Sequence, residues 1–179
     1  MTAQQMIKRL KEVREEIQNE LPARLEAAVL DLSALIQQRI VQTGESAEGA
    51  TFTPYSDTPL PAFFYKDKSR SSSAEAAVTA LETEDELLSY KEFRVLNGLK
   101  GSPKNFEFTG EMWRGVVVEP EGAGELVSVI IKGGNPTSAD RLRWGSELEN
   151  TNLLRPSKTE IELARNALNS WVREKFETI

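Results

Sequence analysis

Met6, Leu10, Val13, Ile17 and Leu21 recur at steps of four, three, four and four, the spacing of one helix face. Leu25, Ala28, Leu32, Leu35, Ile36 and Ile40 carry the stripe onward. Pro22 interrupts it. A proline lacks the backbone donor and crowds the preceding turn, so a kink is expected, or a restart with Pro22 at the first helical position. The pattern predicts helices over about 3–20 and 22–42, or one bent rod, ended by Gly44 in a left-handed cap. So long and narrow a stripe needs a cover, either the chain's own sheet or a neighbouring subunit.

Downstream the periodicity lapses. Residues 44–81 read as a long irregular loop, broken by Pro54, Pro59 and Pro61 and by the polar run Ser69 to Ser73. The same stretch holds Phe52, Tyr55, Phe63, Phe64 and Tyr65. Structureless loops of this length are uncommon, and aromatics are uncommon in disordered ones, so a loop that orders against another chain accounts for both. Residues 82–96 suggest a short helix carrying Leu87, Leu88, Phe93 and Leu96, stopped by Asn97-Gly98. Phe106 and Phe108 alternate like a strand start, and Thr109 is placed to cap a turn through Met112-Trp113-Arg114. Val116 and Val118 then pair with Leu126 to Ile131 across a turn at residues 120–124, an antiparallel hairpin. Val127, Val129 and Ile131 share one of its faces, and Leu126, Ser128 and Ile130 the other. Residues 138–145 form a short helix or turn. Ser157-Lys158-Thr159-Glu160 is a capping box that opens a terminal helix, with Ile161, Ala164, Leu168, Trp171, Val172 and Phe176 on one face. The expected class is α+β in a single domain over residues 1–179. Its parts are a helical region (1–43), an extended aromatic loop (44–81), a small antiparallel sheet region (82–150) and a C-terminal helix (151–179).

Composition narrows the chemistry. The chain has 179 residues, 39% hydrophobic and 28% charged, enough for one domain with a core. No run of about 18 apolar residues predicts a membrane span, and Met1 to Met6 lack an apolar signal core, so no membrane contact and no export are expected. There is no cysteine and no histidine. Disulfides, thiolate zinc sites and histidine-based nucleophile systems are excluded. Carboxylate groups remain, at Glu82, Glu84, Asp85 and Glu86 and at Glu147 and Glu149. A divalent-ion enzyme on these is the weaker alternative, because such runs are more often solvated; no metal and no cofactor is expected. Net charge is −6, and residues 45–90 hold three basic against nine acidic side chains. That field opposes binding to a nucleic-acid duplex, and no specific nucleic-acid sequence is expected as partner.

The aromatic residues divide. Trp113 and Trp171 fall at amphipathic spacing and read as core. Trp144 lies beside Arg141 and Arg143, so it reads either as an interface residue or as an internal cation–π partner. Phe63, Phe64, Tyr65 and Tyr55 are candidate interface anchors, and Lys66, Lys68 and Arg70 form a small basic patch beside them.

Two clusters carry a resemblance. One is Gly49-Ala50-Thr51-Phe52-Thr53-Pro54-Tyr55. The other is Phe106-Glu107-Phe108-Thr109-Gly110-Glu111-Met112-Trp113, preceded by Tyr90-Lys91-Glu92-Phe93-Arg94. With the order helix, Pro-Tyr loop, Thr-Gly turn, hairpin, Trp144-Gly145, Arg155-Pro156 and final helix, the chain resembles the phage virion morphogenesis and tail-completion proteins. The tyrosine and histidine that the family carries near Ala139 are absent here. The resemblance implies a structural virion protein rather than an enzyme. Such a protein forms a ring of six or twelve copies at the head–tail neck, between the portal-side connector and the tail tube, and is assembled in the bacterial cytoplasm. A cellular adaptor that binds through its long helices is the alternative.

Overall fold

In this computed structural model, which describes residues 2–107, 109–121 and 128–177, helix α1 (Ala3–Thr43) is unbroken over 41 residues. That is about 60 Å at 1.5 Å per residue. Thr2 and Gln5 cap its start reciprocally. The break expected at Pro22 does not occur. Pro22 and Gln18, whose carbonyl the proline leaves without a helical donor, are both exposed, so the lost bond falls on a solvent-facing side and the helix continues. Gly44 ends α1 at φ 66°, its N–H donating to the Ile40 carbonyl at 3.0 Å. A side chain there would also meet Pro103 Cβ at 2.5 Å, so both backbone and space require glycine.

Among the described residues two two-stranded sheets follow. Strand β1 (Pro59–Pro61) pairs antiparallel with β2 (Leu87–Ser89). Strands β3 (Val116–Glu121) and β4 (Ser128–Gly133) form the expected antiparallel hairpin, in register from Val116 opposite Gly133 to Glu121 opposite Ser128. The turn begins later than expected. Pro120 is still strand, because each strand of a two-stranded sheet has a free edge where a missing donor is tolerated. Leu126 and Val127, assigned above to the hairpin faces, lie outside the described residues.

The segment expected to be irregular holds much of its own structure. Besides β1 it contains a 3-10 turn (Ala62–Tyr65) and helix α2 (Ser72–Thr83). The serine run is a cap: the Ser71 hydroxyl accepts from the Ala74 amide at 3.3 Å. Ala74 and Val78 then bury one helical face. Helix α3 (Tyr90–Leu96) begins at a second capping box, Ser89 with Glu92. Two hydrogen bonds, from the Ser89 backbone amide and from its hydroxyl, hold the Glu92 carboxyl below the usual carboxylate range. Among the described residues the expected strand does not form at Phe106. Residues 104–107 are irregular, Phe106 takes φ 53°, and Phe108 lies outside the described residues.

After a single turn, α4 (Glu111–Arg114), and the hairpin, α5 (Pro136–Leu148) starts at Asn135, whose side chain accepts from the Ser138 amide at 2.9 Å. Helix α6 (Lys158–Glu177) starts at the expected capping box, Ser157 with Glu160. It runs back along α1. Arg39 and Glu160 pair at 2.9 Å at one end of the seam, and Lys175 and Glu20 at 2.6 Å at the other. Between them Arg24 lies over the Trp171 ring. The covered face is therefore Glu160, Ala164, Leu168, Trp171 and Lys175. Ile161 and Phe176, expected on it, are exposed.

The main core joins Ile36 and Ile40 of α1 to Phe52, Met112, Trp113, Leu142 and Leu153. A satellite cluster packs Tyr65, Val78, Leu88 and Phe93. The class is α+β. Among the described residues no helix is long and apolar enough to cross a membrane.

Candidate assembly interface

The two sequence clusters meet in space. Gly49, at φ 81°, turns the chain back so that Ser46 pairs with Ala50 and the Phe52 amide reaches the Gly44 carbonyl. Phe52 drops into the core and meets Phe106 edge-on at 5.2 Å. Three residues on, the Tyr55 hydroxyl donates to Asn105 Oδ1 at 3.0 Å and accepts from the Asn105 and Phe106 amides. These two amide bonds help hold Phe106 in its left-handed conformation, an unusual one for a bulky residue.

Beneath Tyr55 lie two buried cations, Arg94 held by neutral oxygens and a ring face and Lys104 held by a carboxylate. Arg94, 1% exposed, stacks 4.0 Å over the Tyr55 ring and donates to Asn105 Oδ1 and the Lys100 carbonyl. Burial raises the Tyr55 hydroxyl above its ordinary pKa, against the opposing pull of Arg94. Lys104 pairs with Glu149 at 2.6 Å, and Glu149 also accepts from the Thr53 amide at 2.9 Å. Aromatic contacts run from Tyr55 to Tyr90 and on to Phe93 and Tyr65, tying this region to the satellite cluster.

Above these groups opens a groove of about 620 Å³. It is lined by Pro54 and Tyr55, by Phe106, Gly110 and Met112, and by Trp144 and Leu148 of α5. Trp144 is 61% exposed and Leu148 50%. Arg141 lies in the lining and is held by Glu111 at 2.7 Å. That hydrogen bond keeps the Glu111 carboxyl below its usual range. The groove offers apolar contact and a fixed shape, with its buried charges already engaged.

Of the candidate interface residues, the groove gathers Tyr55, Arg141 and Trp144. Arg143 points elsewhere on α5 and pairs with Asp140 at 3.0 Å. Phe63 and Phe64 stack on each other at 4.4 Å, 55% and 47% exposed, on a separate patch. Tyr65 is not an exposed anchor. It is buried in the fold, stacked 4.6 Å from Phe93, and burial raises its pKa. Sequence reasoning missed Arg94, Asn105 and Leu148. The first two are polar types normally found outside, and no local pattern marks them as buried. Leu148 was legible as the i+4 neighbour of Trp144.

The carboxylate runs do not converge. Glu82 pairs with Lys66 at 3.4 Å, Glu149 belongs to Lys104, and among the described residues no group of three or more metal-ligating side chains comes together. No protein-family model, curated protein or solved structure matches this chain.

Proposed function

We propose that this chain is a structural virion component of a tailed phage, a tail-completion or head–tail neck protein that assembles as a ring of six or twelve copies between connector and tail tube. One observation carries the reading. Both clusters on which the family resemblance rests fold against each other, and together they build an apolar groove with an exposed tryptophan in its lining. An apolar opening of this kind, whose buried Arg94 and Lys104 are already held by internal acceptors, suits a protein partner. The work is then done by surfaces, in the virion, with no bond made or broken.

The test is to mix the purified protein with connector and tail-tube proteins and follow it by light scattering and electron microscopy. Rings bridging the two partners are expected. A strict monomer in the presence of both would count against the reading.

A second reading, a cellular adaptor that binds through its helix, draws on the exposed Met6, Ile7 and Leu10 of α1. It predicts capture of a foreign helix by the monomer, with no self-assembly.

A further inference from the structure

We propose that the groove is an anion-recognition site in which Arg94 takes a side-chain carboxylate from an apolar segment of a neighbouring protein in the assembly. The inference rests on the assembly reading above for the source of the carboxylate, and on Arg94 for its chemistry. Arg94 is the most deeply buried cation among the described residues, 1% exposed, and it belongs to the groove's lining. Of its five N–H groups, Nε–H donates to the Lys100 carbonyl at 3.0 Å and one on Nη2 to Asn105 Oδ1 at 2.9 Å. Both acceptors are neutral, and Asn105 Oδ1 also serves the Tyr55 hydroxyl and the Glu107 amide. The Tyr55 ring, 4.0 Å from Cζ, is neutral as well. Among the described residues Nη1 has no acceptor, and no carboxylate forms an ion pair with Arg94.

The neighbouring cations are treated differently. Lys104 has Glu149 at 2.6 Å, and Arg141 has Glu111 at 2.7 Å. A buried charge without a counter-charge costs free energy that neutral bonds and a ring face recover only in part. Glu107, the acidic residue of the lining, does not offset it: its carboxylate meets the Asn105 side-chain amide at 3.5 Å, and it is half-exposed, where water weakens its field. One negative charge completes the site. A carboxylate carries one, and its two oxygens match the fork of a guanidinium. A phosphate dianion would bring a second charge, and Lys104 and Arg141 are already paired. Around Arg94, Tyr90, Phe106 and Met112 offer apolar contact to residues flanking the acidic one. Trp144 and Leu148, 61% and 50% exposed, continue that contact onto the surface of α5. Apolar surface that extends beyond the anion site in this way suits a chain segment rather than a free acid.

Two probes of nearly equal shape separate charge from fit: phenylacetate and phenylacetamide. Each is titrated into the isotope-labelled full-length protein, and the Arg94 guanidinium and Trp144 indole signals are followed by NMR. The acid is expected to shift both signals and to bind at least about tenfold more tightly than the amide, the advantage of a charge-assisted hydrogen bond over a neutral one. Arg94→Gln is expected to erase that preference. Arg141→Gln, at an exposed position already paired with Glu111, is expected to keep it. Equal binding of acid and amide, binding of neither, or a preference lost with Arg141→Gln would overturn the proposal. If Arg94→Gln does not fold, the two probes on the unaltered protein and Arg141→Gln still decide. The acid is then added to the mixture with connector and tail-tube proteins, where it is expected to reduce multimers by light scattering and the amide is not. Multimers indifferent to a bound acid would overturn the protein source of the carboxylate. Multimers from a protein that shows no preference for the acid would overturn the proposal and leave the assembly reading standing. A protein that prefers the acid yet stays monomeric with both partners would sink the assembly reading and the partner source together, with the anion chemistry of Arg94 intact.

Discussion

At its two ends α1 carries the same kind of side chain under opposite conditions. Near Gly44, Ile36 and Ile40 are fully buried among Phe52, Trp113 and Leu153. Near Thr2, Met6, Ile7 and Leu10 stand about half exposed. The stripe is continuous, so the difference lies in what faces it: hairpin and core at one end, α6 in the middle, and no other described element at the other end. A helix period says which side is apolar, and only the opposing elements say which part of that side is covered.

That contrast sets the order of expected effects. The largest belongs to the closed region, where Glu149→Ala strands the buried Lys104 ammonium. A loss of about 3–5 kcal/mol by urea unfolding is expected; a loss below 1 kcal/mol would mean that the Lys104–Glu149 pair is solvated. Ile40→Ala should cost about 2–5 kcal/mol through lost contacts and the cavity left behind. Next comes the seam. Burial tends to raise the Glu160 carboxyl, but the hydrogen bonds from Arg39 and the Ser157 amide outweigh it and hold the pKa down. A depressed folded pKa gives stability that is present above the unfolded value of about 4.3 and lost as pH falls through the folded one. Glu20, lowered by its hydrogen bond from Lys175, acts in the same direction. Lys175 is raised by that bond, so its contribution is present below about 10.4 and lost as pH rises through its folded pKa. Glu160→Gln should therefore flatten the acid limb of melting temperature against pH and leave the alkaline limb in place. An unchanged acid limb would place the acid sensitivity elsewhere. Ser157→Ala removes the α6 cap and should cost about 1 kcal/mol. The smallest effect belongs to the open end: Leu10→Ala should change unfolding by no more than about 0.5 kcal/mol. Should Leu10→Ala cost as much as Ile40→Ala, the two ends are not different after all.

Much of the fold was legible where the signal is local. The Ser157 capping box, the Gly44 cap, the hairpin pairing and the buried Trp113 and Trp171 all follow from short-range patterns. Helix α2 was legible too, in a serine cap followed by Ala74, Ala77, Val78 and Leu81, but the serine run reads as loop by composition. Pro22 misleads for a different reason: its effect on α1 depends on the solvent around Gln18 and on the seam beyond, neither of which is local. At the groove, Trp144, Arg141 and Tyr55 stood out as residue types, whereas Arg94 and Asn105 are ordinary polar residues until Tyr55 arrives fifty positions away in the chain.

Residue order alone established the apolar stripes, the caps and the absence of thiol and imidazole chemistry, because each depends on side-chain identity within a turn or two. Long-range folding settled the rest. It laid α6 along α1 while leaving Met6, Ile7 and Leu10 exposed, buried Tyr65 while leaving Phe63 and Phe64 outside, and sank two charged pairs, Arg39–Glu160 and Lys104–Glu149, between elements distant in the chain. Whether an apolar or charged group is buried depends on the volume that other segments bring to it, and that volume is absent from any local window of the sequence.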